Sequence, residues 1–134
     1  MIDYGEDYLH DQKVKYIVFD YVDGRSLYDI ITVGHLSVAQ AKEVFLNLFK
    51  TVCSVHNKGI VHRDIKLDNF LITREGTIVL IDFGFASPLQ GYHHDGFFHG
   101  DLIGTENYMA PEILFRQNYQ GAPIDIFALG VLLF

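Results

Sequence analysis

The stretch His62-Arg63-Asp64-Ile65-Lys66-Leu67-Asp68-Asn69-Phe70-Leu71-Ile72-Thr73-Arg74-Glu75-Gly76-Thr77-Ile78-Val79-Leu80-Ile81-Asp82-Phe83-Gly84 decides how the rest of the chain is read. It divides into a short loop, a two-stranded ribbon and a second short loop. The first loop holds a carboxylate at Asp64, an ammonium at Lys66 and an amide at Asn69. The ribbon is Phe70 to Thr73, a turn at Arg74-Glu75-Gly76, then Thr77 to Ile81. β-Branched and aromatic residues bounded by a glycine turn predict a hairpin. The second loop opens on Asp82 and ends on Gly84. A hairpin folds its ends together, so Asn69 and Asp82 are expected at one edge of the sheet. An amide oxygen beside a carboxylate is a hard-oxygen pair suited to Mg2+ held alongside phosphates. Asp64 can accept a proton there, and Lys66 can neutralise phosphate charge.

With these spacings the chain resembles the eukaryotic protein kinases. His62-Arg63-Asp64 with Asn69 matches their catalytic loop, and Asp82-Phe83-Gly84 their magnesium-binding motif. Ala110-Pro111-Glu112 matches the end of the activation segment. A lone Asp-Phe-Gly would be weak; three ordered motifs with the right ribbon between the first two are strong.

The resemblance implies an α+β, protein-kinase-like fold, present in part. Residues 1–22 would be the last strands of the small lobe and the hinge, and residues 23–134 the first half of the mainly helical large lobe. It implies ATP and Mg2+ as cofactors and a protein Ser/Thr hydroxyl as acceptor. Asp64 would be the base, Lys66 would stabilise the transferred group, and Asn69 with Asp82 would hold the metal. Lys66, two residues after the base, follows the serine/threonine pattern. Thr105 supports that class, matching the threonine that hydrogen-bonds the catalytic aspartate and lysine. Nucleotide binding would fall to Asp20, Val22, Ser26 and Leu71. The backbone of Asp20 and Val22 would meet the adenine edge. Ser26 stands where many kinases place a ribose-contacting side chain, or it is a plain helix cap. Phe19 would guard the back of the adenine pocket, or fill core, or both.

Composition sets bounds of its own. The 134 residues are 49% hydrophobic and 14% aromatic, a globular rather than disordered balance. The net charge of −7 speaks against nucleic acid or an anionic membrane as main partner. The single cysteine, Cys53, cannot form an internal disulfide, which fits a reducing, cytoplasmic setting. On a helix it reads as a small apolar side chain. No signal peptide is expected, since the first residues are acidic and lack an apolar core. The apolar run from Phe127 to Phe134 is far shorter than the ~20 residues a bilayer span needs.

Along the chain, residues 1–13 read as the end of a strand and a polar turn, and Val14 to Phe19 as a strand. Ser26 to Thr32 suggests a short helix with Leu27, Ile30 and Ile31 on one side. Ser37 with Gln40 forms a capping box for a long helix. Its apolar stripe is Ala41, Val44, Phe45, Leu48, Val52 and Val55, and Gly59 ends it. Between Gly84 and Gly104 lies a loop with three Gly and three His, expected to be mobile and exposed. His93, His94 and His99 lack a further ligand pattern, so a metal site is not expected there. The loop's hydroxyls are Ser87 and Tyr92. Where many kinases carry an activating phosphothreonine this chain has Asp101, which can pair with Arg63 or stand as a solvated surface acid. Glu106 and Asn107 replace the Pro and Glu usual after the threonine, which bears on substrate preference just past the phosphosite. Asp125, at the start of a buried helix, would hydrogen-bond the catalytic-loop backbone.

The 134 residues contain no Gly-rich phosphate loop, strand lysine or helix-borne glutamate, the parts that grip ATP in the family. The chain therefore reads as an internal piece of a kinase, expected to be inactive in isolation. The rival reading is a catalytically incompetent kinase fragment acting as a binding module.

Overall fold

The computed structural model describes residues 2–91 and 95–133. It opens with an antiparallel hairpin of β1 (Asp3–Leu9) and β2 (Gln12–Val18), in register from Asp3 opposite Val18 to Leu9 opposite Gln12. His10 and Asp11 make the turn with φ of 48° and 62°, the left-handed pair whose twist suits a two-residue hairpin. Residues 1–13 thus contribute a full seven-residue strand rather than the end of one. Gly5, Glu6 and Asp7 are poor strand formers alone; the β2 ladder overrides that preference.

Residues 19–23 leave the hairpin without regular structure, and β3 (Gly24–Ser26) follows. Then come α1 (Leu27–Val33) and α2 (Val38–His56). Ser37 and Gln40 complete both halves of the capping box at the start of α2. Leu48, Val52 and Val55 are buried, and Val44 and Phe45 pack against the core. Ala41 departs from the expected stripe. It is exposed, because the first turns of α2 border an open groove with Leu36 and Val38. Beyond α2 the chain reverses at Gly59, whose φ is 74°.

Strand β4 (Ile60–Val61) leads into the 62–66 loop, a 3-10 turn (Leu67–Asn69), and the ribbon of β5 (Phe70–Thr73) and β6 (Ile78–Leu80). With β3 the ribbon makes a three-stranded sheet in the order β3-β5-β6. The segment after Gly84, expected as a loop, is tied down at both ends. Strand β7 (Ser87–Pro88) pairs with β4, and β8 (Phe98–His99) with β9 (Asn118–Tyr119). Two-residue ladders of this kind leave no periodic sequence signal. Tyr92, His93 and His94 lie outside the described residues, as does Phe134. Helices α3 (Pro111–Leu114) and α4 (Gly121–Val131) complete the chain.

Two apolar clusters form the core. One gathers Leu27, Leu48, Val52, Ile65, Phe70 and Leu129; the other gathers Val61, Phe98, Ala110, Ile113, Tyr119 and Ile124. Each fully buried side chain of this size contributes about 1.5–3 kcal/mol. Val61 belongs to one cluster and Ile65 to the other, so residues 62–64 are strung between two packed bodies. That anchorage lets three polar side chains in a row sit buried without collapsing. Among the described residues no helix is long and apolar enough to cross a membrane.

Candidate active site

Residues 62 to 64 hold their shape through Asp125 on α4. Its Oδ2 accepts from the backbone N–H of His62 at 2.9 Å and its Oδ1 from that of Arg63 at 2.8 Å. Arg63 is in the left-handed region at φ 66°, a conformation that costs a non-glycine residue energy and needs outside support. Asp125 supplies it, as the sequence suggested. Unforeseen was His56, at the last turn of α2, whose Nε2 stands 2.8 Å from Asp125 Oδ2. A histidine closing an amphipathic helix looks like an ordinary helix end, and no sequence spacing links it to Asp125. His62 is also more than a motif letter. Its Nδ1 accepts from Asp64 N at 3.3 Å and its Nε2 contacts Ile81 O at 3.0 Å. A ring accepting at Nδ1 and donating at Nε2 is the neutral tautomer. Its edge meets Phe83 at 4.9 Å between centroids, so the ring ties the 62–64 loop to the loop after β6.

Asp64 sits at the centre of a small network. Thr105 Oγ1 donates to its Oδ1 at 2.6 Å, Lys66 Nζ lies 2.9 Å from its Oδ2, and Asn69 Nδ2 donates to its Oδ2 at 3.2 Å and its carbonyl at 2.8 Å. Lys66 also donates to Thr105 Oγ1 at 3.1 Å. Burial pushes the Asp64 carboxyl upward, but the bonds from Thr105, Lys66 and Asn69 outweigh it and hold the group below its ordinary value. The hydrogen bond to Asp64 raises the Lys66 ammonium despite partial desolvation, and Asp68 and Asp82 add to the same field. The pair is an ionised carboxylate and a charged ammonium at neutral pH.

The ribbon register delivers the expected neighbours. Phe70 pairs with Leu80, and one step outward Ile81 N donates to Asn69 O at 2.9 Å. Asn69 and Asp82 therefore leave the same end of the ribbon. Asn69 spends its amide nitrogen on Asp64, and among the described residues no hydrogen bond engages its Oδ1. Asp82, at φ 59°, uses Oδ1 to accept from Gly84 N at 3.2 Å and is otherwise exposed. One amide oxygen and one free carboxylate oxygen are a partial set for a hard cation whose remaining ligands are phosphate and water. Among the described residues no group of three His, Cys, Asp or Glu is placed to hold a metal. His99 instead pairs with Asp95 at 2.8 Å.

An apolar cleft of about 640 Å3 lies between the end of β2 and the end of the ribbon, lined by Ile17, Phe19, Asp20, Val22, Leu80 and Asp82 among others. Among the described residues no hydrogen bond engages the main chain of Asp20 or Val22. Ser26 and Leu71 stand opposite each other in the β3–β5 ladder and do not line this cleft. The Ser26 hydroxyl accepts from Asp29 N at 3.1 Å, so it caps α1.

Comparison with known proteins agrees with this geometry. Residues 4–134 match the protein kinase domain family. The chain is 42% identical over 120 residues to CBL-interacting serine/threonine-protein kinase 17 of Arabidopsis thaliana, covering 89% of this chain and 28% of that protein. It is 40% identical over 120 residues to CBL-interacting protein kinase 1 of Oryza sativa subsp. japonica, covering 89% and 26%. It is 34% identical over 132 residues to serine/threonine-protein kinase ste20 of Aspergillus oryzae, covering 98% and 15%. The chain spans less than a third of the length of these curated relatives. With three ordered motifs, the α+β architecture of part of a kinase domain and this match, the chain belongs to the protein kinase family.

Proposed function

We propose that this chain carries the catalytic centre of a serine/threonine protein kinase, which transfers the ATP γ-phosphoryl group to a protein hydroxyl. The observation that carries the reading is the Asp64 carboxylate, held by Thr105, Lys66 and Asn69, with Asp82 leaving the same end of the ribbon as Asn69. In the transfer, the acceptor oxygen forms a bond to the γ-phosphorus while the bond to the β-bridging oxygen breaks. Asp64 orients the hydroxyl and takes its proton as the P–O bond forms. Lys66 neutralises charge on the moving group, which is most of what such a site contributes beyond positioning. Mg2+, when bound between Asn69 and Asp82, supplies charge neutralisation for the phosphates.

The adenine would enter the apolar cleft, with the free main chain of Asp20 and Val22 offering donor and acceptor to its edge. Leu71 and Ser26 are assigned to the nucleotide site by resemblance alone; they pair with each other in the β3–β5 ladder, outside the lining of the cleft. Residues 1–22 act as the end of the small lobe and hinge, and residues 23–134 as part of the large lobe. The free Cys53 and the use of ATP support an intracellular setting. The acidic net charge supports a protein rather than a nucleic-acid substrate.

The test is phosphoryl transfer from Mg-ATP to a mixed Ser/Thr/Tyr peptide library by the complete polypeptide that carries residues 1–134. Transfer confined to Ser and Thr and abolished by Asp64→Asn is expected. Transfer that survives Asp64→Asn, or falls on tyrosine, would overturn the reading.

A further inference from the structure

The residue that follows Thr105 is a carboxylate with no partner. Glu106 opens a three-residue 3-10 turn (Glu106–Tyr108), closed by Tyr108 N donating to Thr105 O at 2.9 Å and Met109 N to Glu106 O at 3.1 Å. Thr105 fixes one end of the turn on Asp64, and the fully buried Ala110 fixes the other. The Glu106 side chain is exposed, and among the described residues no hydrogen bond or ion pair engages it. A turn this short aligns too few peptide dipoles to favour an acid at its start. Nothing in the fold uses this carboxylate, yet it stands one residue, about 3.8 Å of chain, from a side chain that touches Asp64. The surroundings are short of available positive charge. Segments 62–69 and 104–109 carry Arg63 and Lys66 as their cations. The Arg63 side chain is 2% exposed, and Lys66 is spent on Asp64 and Thr105. Asp68 is exposed too, and its field reaches both Lys66 and the Tyr108 phenol. The 106–108 turn thus lies near the 66–68 turn, with an acid on each and their cations already engaged.

We propose that Glu106 selects the substrate: its carboxylate pairs with a lysine or arginine adjoining the phosphorylated Ser or Thr of the acceptor protein. The proposal deepens the catalytic reading of Asp64 above and rests on it. An acceptor hydroxyl has to come within about 2.6–3.2 Å of Asp64 to give up its proton. An extended peptide advances only about 3.3 Å per residue, so a residue adjoining the acceptor comes within reach of Glu106. A cation there gains a charge-assisted hydrogen bond, and an acid there meets a like charge, so the one carboxylate both attracts and rejects. The pair stays at the surface, which makes its effect modest and sensitive to salt.

The experiment uses the complete polypeptide carrying residues 1–134 and a set of alanine-based peptides. Each peptide has a single serine, with Lys, Ala or Glu placed in turn at every position from three before it to three after. With Lys directly before or directly after the serine, kcat/KM is expected to exceed that with Ala about fivefold, and Glu at the same place to fall below Ala. Glu106→Gln should abolish the preference at that place and Glu106→Lys should turn it toward Glu, with the KM for ATP held in both. A Lys preference that survives Glu106→Gln overturns the proposal, and so does the absence of any preference beside the serine in the unaltered protein. The Lys peptide with its serine replaced by alanine is then titrated by fluorescence anisotropy. Glu106→Gln is expected to bind it about fivefold more weakly, the gap closing as salt is raised to about 1 M. Equal binding by the two proteins at low salt overturns the proposal. Anisotropy reads binding without phosphoryl transfer, so its outcome stands apart from that of Asp64→Asn.

Discussion

Thr105 donates its hydroxyl hydrogen to Asp64 Oδ1 across 2.6 Å, joining side chains 41 positions apart in the chain. Thr105 Oγ1 in turn accepts from Lys66 Nζ, which also pairs with Asp64 Oδ2, so three side chains from two segments close a ring. The ring makes the position of the activation segment directly legible at the proposed base. A segment that swings away removes a donor from Asp64 and an acceptor from Lys66 together.

Thr105→Val, which keeps the volume and removes both bonds, should therefore lower kcat on a serine peptide about 100-fold, the scale of misplacing a catalytic group by an ångström. Thr105→Ser should stay within a few-fold of the unaltered enzyme. Steady-state kinetics on both variants checks this. Equal losses would mean that the methyl group, not the hydroxyl, matters.

Asp125 is 1% exposed and receives two backbone N–H groups as well as His56. Asp125→Ala strands those donors and releases a left-handed Arg63, so it should destabilise the fold by about 3–5 kcal/mol. His56→Ala removes one contact and should cost only about 1–2 kcal/mol. Urea unfolding of the two variants reads the difference. A His56 variant as unstable as the Asp125 variant would show that the histidine carries the loop.

Much of this site is legible in sequence because its geometry is local. Asn69 and Asp82 meet through a hairpin, and hairpin ends converge whatever the rest of the chain does. The capping box at Ser37 and Gln40 is likewise settled within one helical turn. The residues that escaped notice act across long separations. His56 reaches Asp125 over 69 positions, and β8 finds β9 through two residues that look like loop. Ala41 shows the reverse failure. Its spacing is helical, but spacing cannot say where the covering elements stop.

Asp64 and Lys66 set opposite pH limits. Asp64 is held below its ordinary value, so its contribution to stability is present above the unfolded carboxylate range near 4 and lost as pH falls through the lower folded value. Lys66 is raised, so its contribution is present below its ordinary value near 10.4 and lost as pH rises through the folded value. Neither group titrates between about pH 5 and 9, and neither should shape the rate profile there. Lys66→Met removes a donor and a charge from Asp64, so the acid limb of kcat should move to higher pH. A limb that stays in place would show that Thr105 and Asn69 alone hold the carboxylate down.

The start of α4 is packed without slack against β4. A Cβ at Gly121 would stand 2.5 Å from Val61 Cγ1 and 2.7 Å from its Cγ2, closer than such atoms pack. Val61 is fully buried and next to His62, so it has no free volume to retreat into and any shift passes to the 62–64 loop. Gly121→Ala should therefore destabilise the protein by about 1–3 kcal/mol, the usual range for overpacking. It should also lower kcat more than it changes the KM for ATP, since the displaced loop carries Asp64 while the cleft is lined from elsewhere. Val61→Ala alone leaves a cavity and should also destabilise. Together the two changes exchange which residue supplies the methyl groups, so the double variant should be more stable than the sum of the single losses predicts. Denaturant unfolding of the four proteins measures the coupling. Strict additivity would mean that α4 moves away from β4 without passing the strain to the loop.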